Sequence, residues 1–218
     1  MRDRHPKERQ AAKLARKNAS RNSHDRILII CEGKKTEPQY FNEIRQYYRL
    51  NTAYVGILQS EYGTSPQQVV DFARDKCLET SQWEQVFCVF DRDDHPSFNN
   101  ALQSANTLDK KHKNEYKQPI RFKAIPSIPC FELWLLLHFE CVTREMHRDE
   151  VYRSLSRPGL LPDYTKGSTG HFKRTMKRLS DAYENAARAK EERQRTGREN
   201  PFTAIDELAK LLTSLKPE

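Results

Sequence analysis

The run Arg26-Ile27-Leu28-Ile29-Ile30, followed at once by Cys31-Glu32-Gly33-Lys34-Lys35-Thr36-Glu37-Pro38, restricts the fold more than any other part of the chain. Four successive apolar residues without polar alternation describe a strand covered on both faces, as in a parallel sheet. The polar stretch breaks that strand at Gly33, and Tyr40, Phe41, Ile44, Tyr47 and Tyr48 then recur at helical spacing, with Thr36 expected as the cap. A Gly-Lys pair in such a turn suggests a phosphate-binding loop. That pattern requires an earlier glycine where Leu28 stands and a Ser or Thr where Lys35 stands, so it is excluded. Two acidic residues, Glu32 and Glu37, remain beside a tight turn at the end of a buried strand.

The same alternation continues. YVGILQ, QVFCVF and IRFKAIPSIP read as further strands, separated by SPQQVVDFARDKCLE, opened by a Ser65-Pro66 start, and PSFNNALQSANTLDKK. A β-α-β-α-β-α-β order requires right-handed crossovers and a mainly parallel sheet. The expected class is α/β, a Rossmann-like central sheet flanked by helices. PCFELWLLLHFE closes this unit as an apolar helix, SRPGLLPDYTKGSTG reads as loop, HFKRTMKRLSDAYENAARAKEERQR as one long basic helix, and PFTAIDELAKLLTSL as a shorter amphipathic one. The organisation expected is a basic arm over 1–25, an α/β core over 26–141 and a helical C-terminal extension over 142–218. Phe202, Ile205, Leu208, Leu211 and Leu212 share a face of the last helix, which either packs on the chain's own core or docks a partner.

A length of 218 residues suffices for one domain with an extension. The longest apolar candidate, FELWLLLHF, is too short to span a membrane and holds Glu132 and His138, so a soluble cytoplasmic protein is expected. Cys31, Cys77, Cys88, Cys130 and Cys141 form no C-x-x-C pair and are odd in number, which argues against a disulfide framework and a zinc knuckle. The net charge of +8 is concentrated in two places. Residues 1–26 hold nine Lys/Arg against three Asp/Glu, and residues 165–199 hold ten against five, the latter including Lys173, Arg174, Lys177 and Arg178. Basic segments around a slightly acidic body fit a nucleic-acid partner, or simply solvated helices.

In an open parallel sheet, ligands bind outside the carboxyl ends of the strands. Glu32 follows the first strand, Asp91 and Asp93 follow the third, and Glu132 lies just past the fourth. In an extended segment Asp91 and Asp93 would project to one side and share a cation. Carboxylates gathered this closely raise each other's pKa unless a divalent cation compensates them. Oxygen ligands, with no thiol or histidine cluster in view, favour magnesium, with manganese as the alternative.

CEGKKTEPQYF, VFDRDDH, SIPCFELWLLLHFE, DYTKG and NPFTAIDEL, in that order, resemble the RloB-like family of bacterial proteins. The Glu-Gly turn after the first strand and Asp-x-Asp after the third are similar to the Toprim fold of topoisomerases, bacterial primases and OLD-type nucleases. EG-x-x-TE looks most like the OLD version. The resemblance implies a Toprim-like Rossmannoid core, with Glu32 as metal ligand or general base, Asp91 and Asp93 as metal ligands, and Glu37 and Glu132 as auxiliary acids. It also implies a place in phage-defence or restriction-linked systems, often beside a separate ATPase. The chain itself carries no Walker motif, so ATP-driven control would come from such a partner.

The function expected is a metal-dependent nuclease acting on DNA or RNA. Lys34, Lys35 and Lys166 are candidates to hold the phosphate or the transition-state charge, and Lys35, Lys173, Arg174, Lys177 and Arg178 to track the backbone. Two alternatives are a noncatalytic nucleic-acid or partner-binding module and a primase-like nucleotidyl transferase, since fold alone does not fix activity. Self-association is compatible with all three.

Overall fold

The structure is a computed structural model that describes residues 25–93 and 95–215. Apart from Asp25, the basic arm expected over 1–25 lies outside the described residues, as does Asp94. Five strands form one sheet: β1 (Ile27–Cys31), β2 (Val55–Gln59), β3 (Gln85–Asp91), β4 (Arg121–Ile128) and β5 (Phe202–Thr203). Their spatial order is β2-β1-β3-β4-β5, parallel throughout except that β5 runs antiparallel to β4. The expected mainly parallel α/β sheet flanked by helices is therefore present. The direction of the strand order reverses at β1, which places a crevice between the ends of β1 and β3.

Helices α1 (Thr36–Tyr47), α2 (Pro66–Thr80) and α3 (Phe98–Leu108) link the parallel strands. Successive side chains of β1 enter opposite cores. Ile27, Ile29 and Cys31 join α1 and the C-terminal helices, whereas Leu28 and Ile30 join α2 and α3. Both faces are dry, which is why the run lacks polar alternation. Ser65 caps α2 in a capping box with Gln68, as its Ser-Pro start predicts. Thr36 is not the cap of α1: it lies inside the helix, and its hydroxyl accepts the Gly167 N–H at 3.0 Å.

The C-terminal half departs further from the sequence reading. The apolar helix shrinks to α4 (Glu132–Leu137), and α5 (Arg148–Leu155), which sequence periodicity did not reveal, follows it. The expected long basic helix is broken into α6 (His171–Thr175), a 3-10 turn over Met176–Arg178, and α7 (Leu179–Thr196). Thr175 is buried at the break and returns its hydroxyl to the His171 carbonyl at 2.8 Å, a bond that bends helices. β5 adds a strand to an extension in which only helices and loop were expected, with its Thr203 hydroxyl 3.1 Å from that of Ser127 on β4.

The last helix, α8 (Ile205–Ser214), buries Ile205, Leu208 and Leu212 in the chain's own core, so that face is not a partner dock. Ala182, Ala186 and Ala189 form the buried stripe of α7, and Asn185 donates to the last carbonyl of α4 at 2.8 Å. Trp134 on α4 donates to the Tyr40 hydroxyl on α1 at 2.8 Å. Tyr40, Phe41, Phe131 and Phe172 pack edge to face around that bond. This aromatic cluster holds the start of α4 against the first turns of α1, which carry two of the carboxylates discussed next. Four cysteines are buried and Cys141 is exposed, none paired. Among the described residues no helix is long and apolar enough to cross a membrane.

Candidate metal centre

The carboxyl ends of β1, β3 and β4 bring together the acidic residues that the sequence scatters. Glu32 leaves β1 with its N–H on the Val89 carbonyl of β3 at 2.9 Å. Its side chain turns back across the crevice, and Oε2 accepts the Asp91 N–H at 2.9 Å. One residue thus ties the ends of the two strands that flank the switch point. Gly33 is required here because a Cβ would stand 2.1 Å from Glu37 Oε2, so the turn leaves room for the second carboxylate.

Two tiers result. In the outer tier Glu32, Asp93 and His95 each offer a ligand atom, and those atoms lie within 4.8 Å of one another. Glu32 is buried, while Asp93 and His95 are half-buried and open to the crevice. In the inner tier Asp91, Glu37 and Glu132 are all buried. Asp91 ends β3, and Asp93 sits in the following turn at φ 35°. The extended alternation that was to bring Asp91 and Asp93 to one side therefore stops before Asp93. The turn instead delivers Asp93 to Glu32 and His95. Its backbone is closed by His95 N–H to the Arg92 carbonyl at 3.2 Å.

The electrostatics follow from this crowding. Burial pushes the Glu32 carboxyl up to about 7, against the Asp91 N–H that favours its charged form, and the Glu37 and Asp93 carboxylates add to the rise. Burial is also the main cause for Asp91, held well above the usual carboxylate range with help from Glu37, Glu132 and Glu32. Glu37 is raised for the same reason, with Glu132 as its strongest carboxylate neighbour. Glu132 Oε1 accepts the Tyr164 hydroxyl at 2.6 Å. Its Oε2 is buried with no conventional hydrogen-bond partner, with the weak Cys130 thiol donor beside the carboxylate.

Two cations of the chain approach the group. Arg148 Nη1 lies 3.0 Å from Asp93 Oδ2. Asp93 Oδ1, on the other side of that carboxylate, is buried without a partner. Lys166 pays for partial burial, but the Glu132 and Asp91 carboxylates and the Tyr152 hydroxyl outweigh this and hold its ammonium above the usual lysine range. Orphaned buried carboxylate oxygens among carboxyls pushed upward suit a hard divalent cation, and Glu32, Asp93 and His95 can hold one. A cleft of about 370 Å³ opens beside Asp93, with Arg92, Pro129, His147 and Arg148 among its walls.

The remaining candidates lie around this centre. Lys34 is exposed in the Gly33 turn. Lys35 is exposed too, but its stem lies against Gly167, where a Cβ would come within 2.9 Å of it, so it braces the loop that carries Lys166. Lys173, Arg174, Lys177 and Arg178 are exposed on α6 and the 3-10 turn and take no part in the carboxylate group. Arg174 pairs with Asp163 at 2.5 Å, and Arg178 lies 3.7 Å from Asp181 and over the Phe139 ring.

A family model described as RloB-like protein matches residues 27–212. The chain belongs to the RloB-like family. No curated protein and no solved structure matches it. The matched span takes in the whole sheet, both tiers of carboxylates, Arg148 and Lys166. Sequence reasoning missed His95 and Arg148 in this RloB-like centre. His95 closes the VFDRDDH motif, so its signal was present in the sequence, but it reads as a single histidine in a turn. Arg148 gave no signal, because α5 did not.

Proposed function

We propose that this RloB-like protein is a metal-dependent nuclease that cleaves phosphodiester bonds of DNA or RNA. The observation that carries the reading is the outer tier, Glu32, Asp93 and His95, at the carboxyl edge of a parallel sheet, with three more buried carboxylates behind it and a cleft opening beside Asp93. Glu32, Asp93 and His95 would hold magnesium or manganese, which would supply charge to activate water and to offset the leaving oxygen. Glu32 Oε2 keeps its place through the Asp91 N–H, which leaves the other oxygen either to ligate the cation or to take a proton from the attacking water. Asp91 and Glu37, held up by burial and by each other, would ionise more readily beside a cation at this edge, so the inner tier and the cation would favour one another. Lys166 and Arg148, both beside the carboxylates, are the cations that would meet the phosphate of a substrate at this edge. We place the activity in phage defence or a restriction-linked system, under the control of a separate ATPase, on the resemblance to RloB-like proteins.

The noncatalytic reading draws on one observation. Arg148 already neutralises Asp93, as in a site that has exchanged its metal for a side-chain cation. Incubating the purified protein with plasmid, single-stranded DNA and total RNA, in magnesium, manganese or EDTA, with and without the neighbouring ATPase, separates the two. Cleavage that needs a metal and vanishes in Asp93→Asn is the expected result. Retained nucleic-acid binding without Asp93-dependent cleavage under any of these conditions would favour the binding module.

A further inference from the structure

A second hollow, of about 510 Å³, is lined by Tyr152, Arg153, Ser156, Tyr164, Thr165 and Lys166. Its two rings are nearly parallel, 17° apart with centroids 6.3 Å from each other. Tyr152 stands four positions after Arg148 on α5, so the two project from the same side of that helix, alongside the buried Val151 and Leu155. Lys166 Nζ reaches the Tyr152 hydroxyl at 3.4 Å and lies 5.9 Å from the ring centroid. Tyr164 donates to Glu132, so this hollow and the carboxylates share a wall. Arg153 and Lys166 are exposed at its rim.

We infer that this hollow seats one unpaired nucleobase, stacked on a tyrosine ring, with its phosphates met by Arg153 and Lys166, so that the chain selects single-stranded nucleic acid. Half-buried aromatic faces with cations at their edges form the usual platform for bases, since every base has a π-face and each stack adds to affinity without reading sequence. A base inside a duplex has both faces covered by its neighbours and cannot offer one to a tyrosine. The choice of a nucleic acid as occupant rests on the nuclease reading, but the seat is tested apart from cleavage.

Binding is measured in EDTA by anisotropy, with a short fluorescein-labelled single strand and the blunt duplex of the same sequence as probes. The single strand is expected to bind at least about tenfold more tightly. Tyr152→Ala should weaken single-strand binding about tenfold and leave duplex binding unchanged, whereas Tyr152→Phe, which keeps the ring, should bind as the parent does. Arg153→Gln, at an exposed position, should weaken both probes a few-fold. A strand carrying 5-iodouracil, irradiated on the unmodified protein, should crosslink to Tyr152 or Tyr164. This readout does not depend on any variant folding. Crosslinks that map only elsewhere, or equal affinity for single strand and duplex, would overturn the seat. Crosslinking at Tyr152 or Tyr164 without metal-dependent cleavage would sink the nuclease reading and leave the seat, while cleavage without either crosslink would do the reverse.

Discussion

Both ends of the sheet carry carboxylates, and the chain treats them in opposite ways. At the amino ends of the strands, Glu84 accepts the Arg26 N–H at 2.7 Å, and its other oxygen takes Arg26 Nη2 at 2.8 Å and Asn114 Nδ2 at 3.1 Å. The second branch of the same guanidinium reaches Glu115 at 2.6 Å. Every oxygen of Glu84 is satisfied from within the chain. At the carboxyl ends Glu32, Glu37, Asp91, Asp93 and Glu132 crowd together with two nearby cations, and Asp93 Oδ1 and Glu132 Oε2 go unpartnered. A carboxylate that holds the fold together is matched in charge and hydrogen bonds as the chain closes. A set left short of both offers ligand atoms that a bound cation could use, which is the ground of the proposed metal site.

Breaking each end separately gives the largest contrast. Glu32→Gln keeps an oxygen for the Asp91 N–H, and Asp93→Asn suits a left-handed backbone, so both preserve shape while removing charge. Each should lower metal-dependent cleavage at least about a hundredfold and abolish stabilisation by magnesium, without lowering the melting temperature in EDTA, because lost repulsion offsets lost contacts. Glu84→Gln should do the opposite. It leaves a part-buried guanidinium with Glu115 as its remaining carboxylate, at a cost of about 2 kcal/mol, and leaves the response to magnesium untouched. Thermal unfolding of the three variants with and without magnesium checks both halves. A magnesium response in Asp93→Asn equal to that of the parent would remove Asp93 from the metal centre.

The same contrast has a pH signature. The Glu32 carboxyl sits at about 7 in the folded chain against an ordinary 4.5. Between those values the unfolded chain has released a proton that the folded chain still holds. The stability contributed by this group is thus fully present below about 4.5 and is lost as pH rises towards 7, by about 3 kcal/mol. Glu37 and Asp91, raised for the same reason, act in the same direction. Urea unfolding in EDTA should therefore show stability falling with rising pH through this window, a fall that magnesium flattens and Glu32→Gln reduces. Stability that rises with pH there would mean that the carboxyl edge is already compensated, like Glu84.

How much of this was legible in the sequence follows from how local each signal is. Glu32 and Asp91 end strands that announce themselves by composition, and the parallel order then fixes that those ends meet. Glu132 was legible as a charge in apolar surroundings, and it is fully buried beside Asp91 and Glu37. His95 was not assigned because one histidine in a turn acquires meaning only from the φ of 35° at Asp93, which turns the loop back to Glu32. Arg148 and Tyr152 were hidden for a different reason. α5 buries only Val151 and Leu155, too few apolar positions to set a helical period, and its place against the carboxylates is a matter of tertiary packing alone. The break at Thr175 was likewise invisible, since HFKRTMKRL has unbroken helical character until the Thr175 hydroxyl returns to its own helix.

The smallest effect concerns the basic segment beyond the carboxyl edge, where the chain's cations are in surplus. Each phosphate neutralised by a cation releases condensed counterions, so binding weakens with salt on a logarithmic plot with a slope of about −0.9 per phosphate on duplex DNA and about −0.7 on single strands. Lys173, Arg174, Lys177 and Arg178 are all exposed, but they are not equally placed to contribute. Arg174 is spent on Asp163 at 2.5 Å, and Arg178 is drawn towards Asp181 and the Phe139 ring, so a phosphate must displace those partners before either cation counts. Neutralising Lys173 and Lys177 together should therefore reduce the single-strand slope by about 1 to 1.5, and adding Arg174→Gln and Arg178→Gln should reduce it by less than the first pair did. Anisotropy titrations across a salt series in EDTA measure both steps. A slope unchanged by the lysine pair would assign this helical turn to solvation and confine nucleic-acid contact to Lys166, Arg148 and the rim of the carboxyl edge.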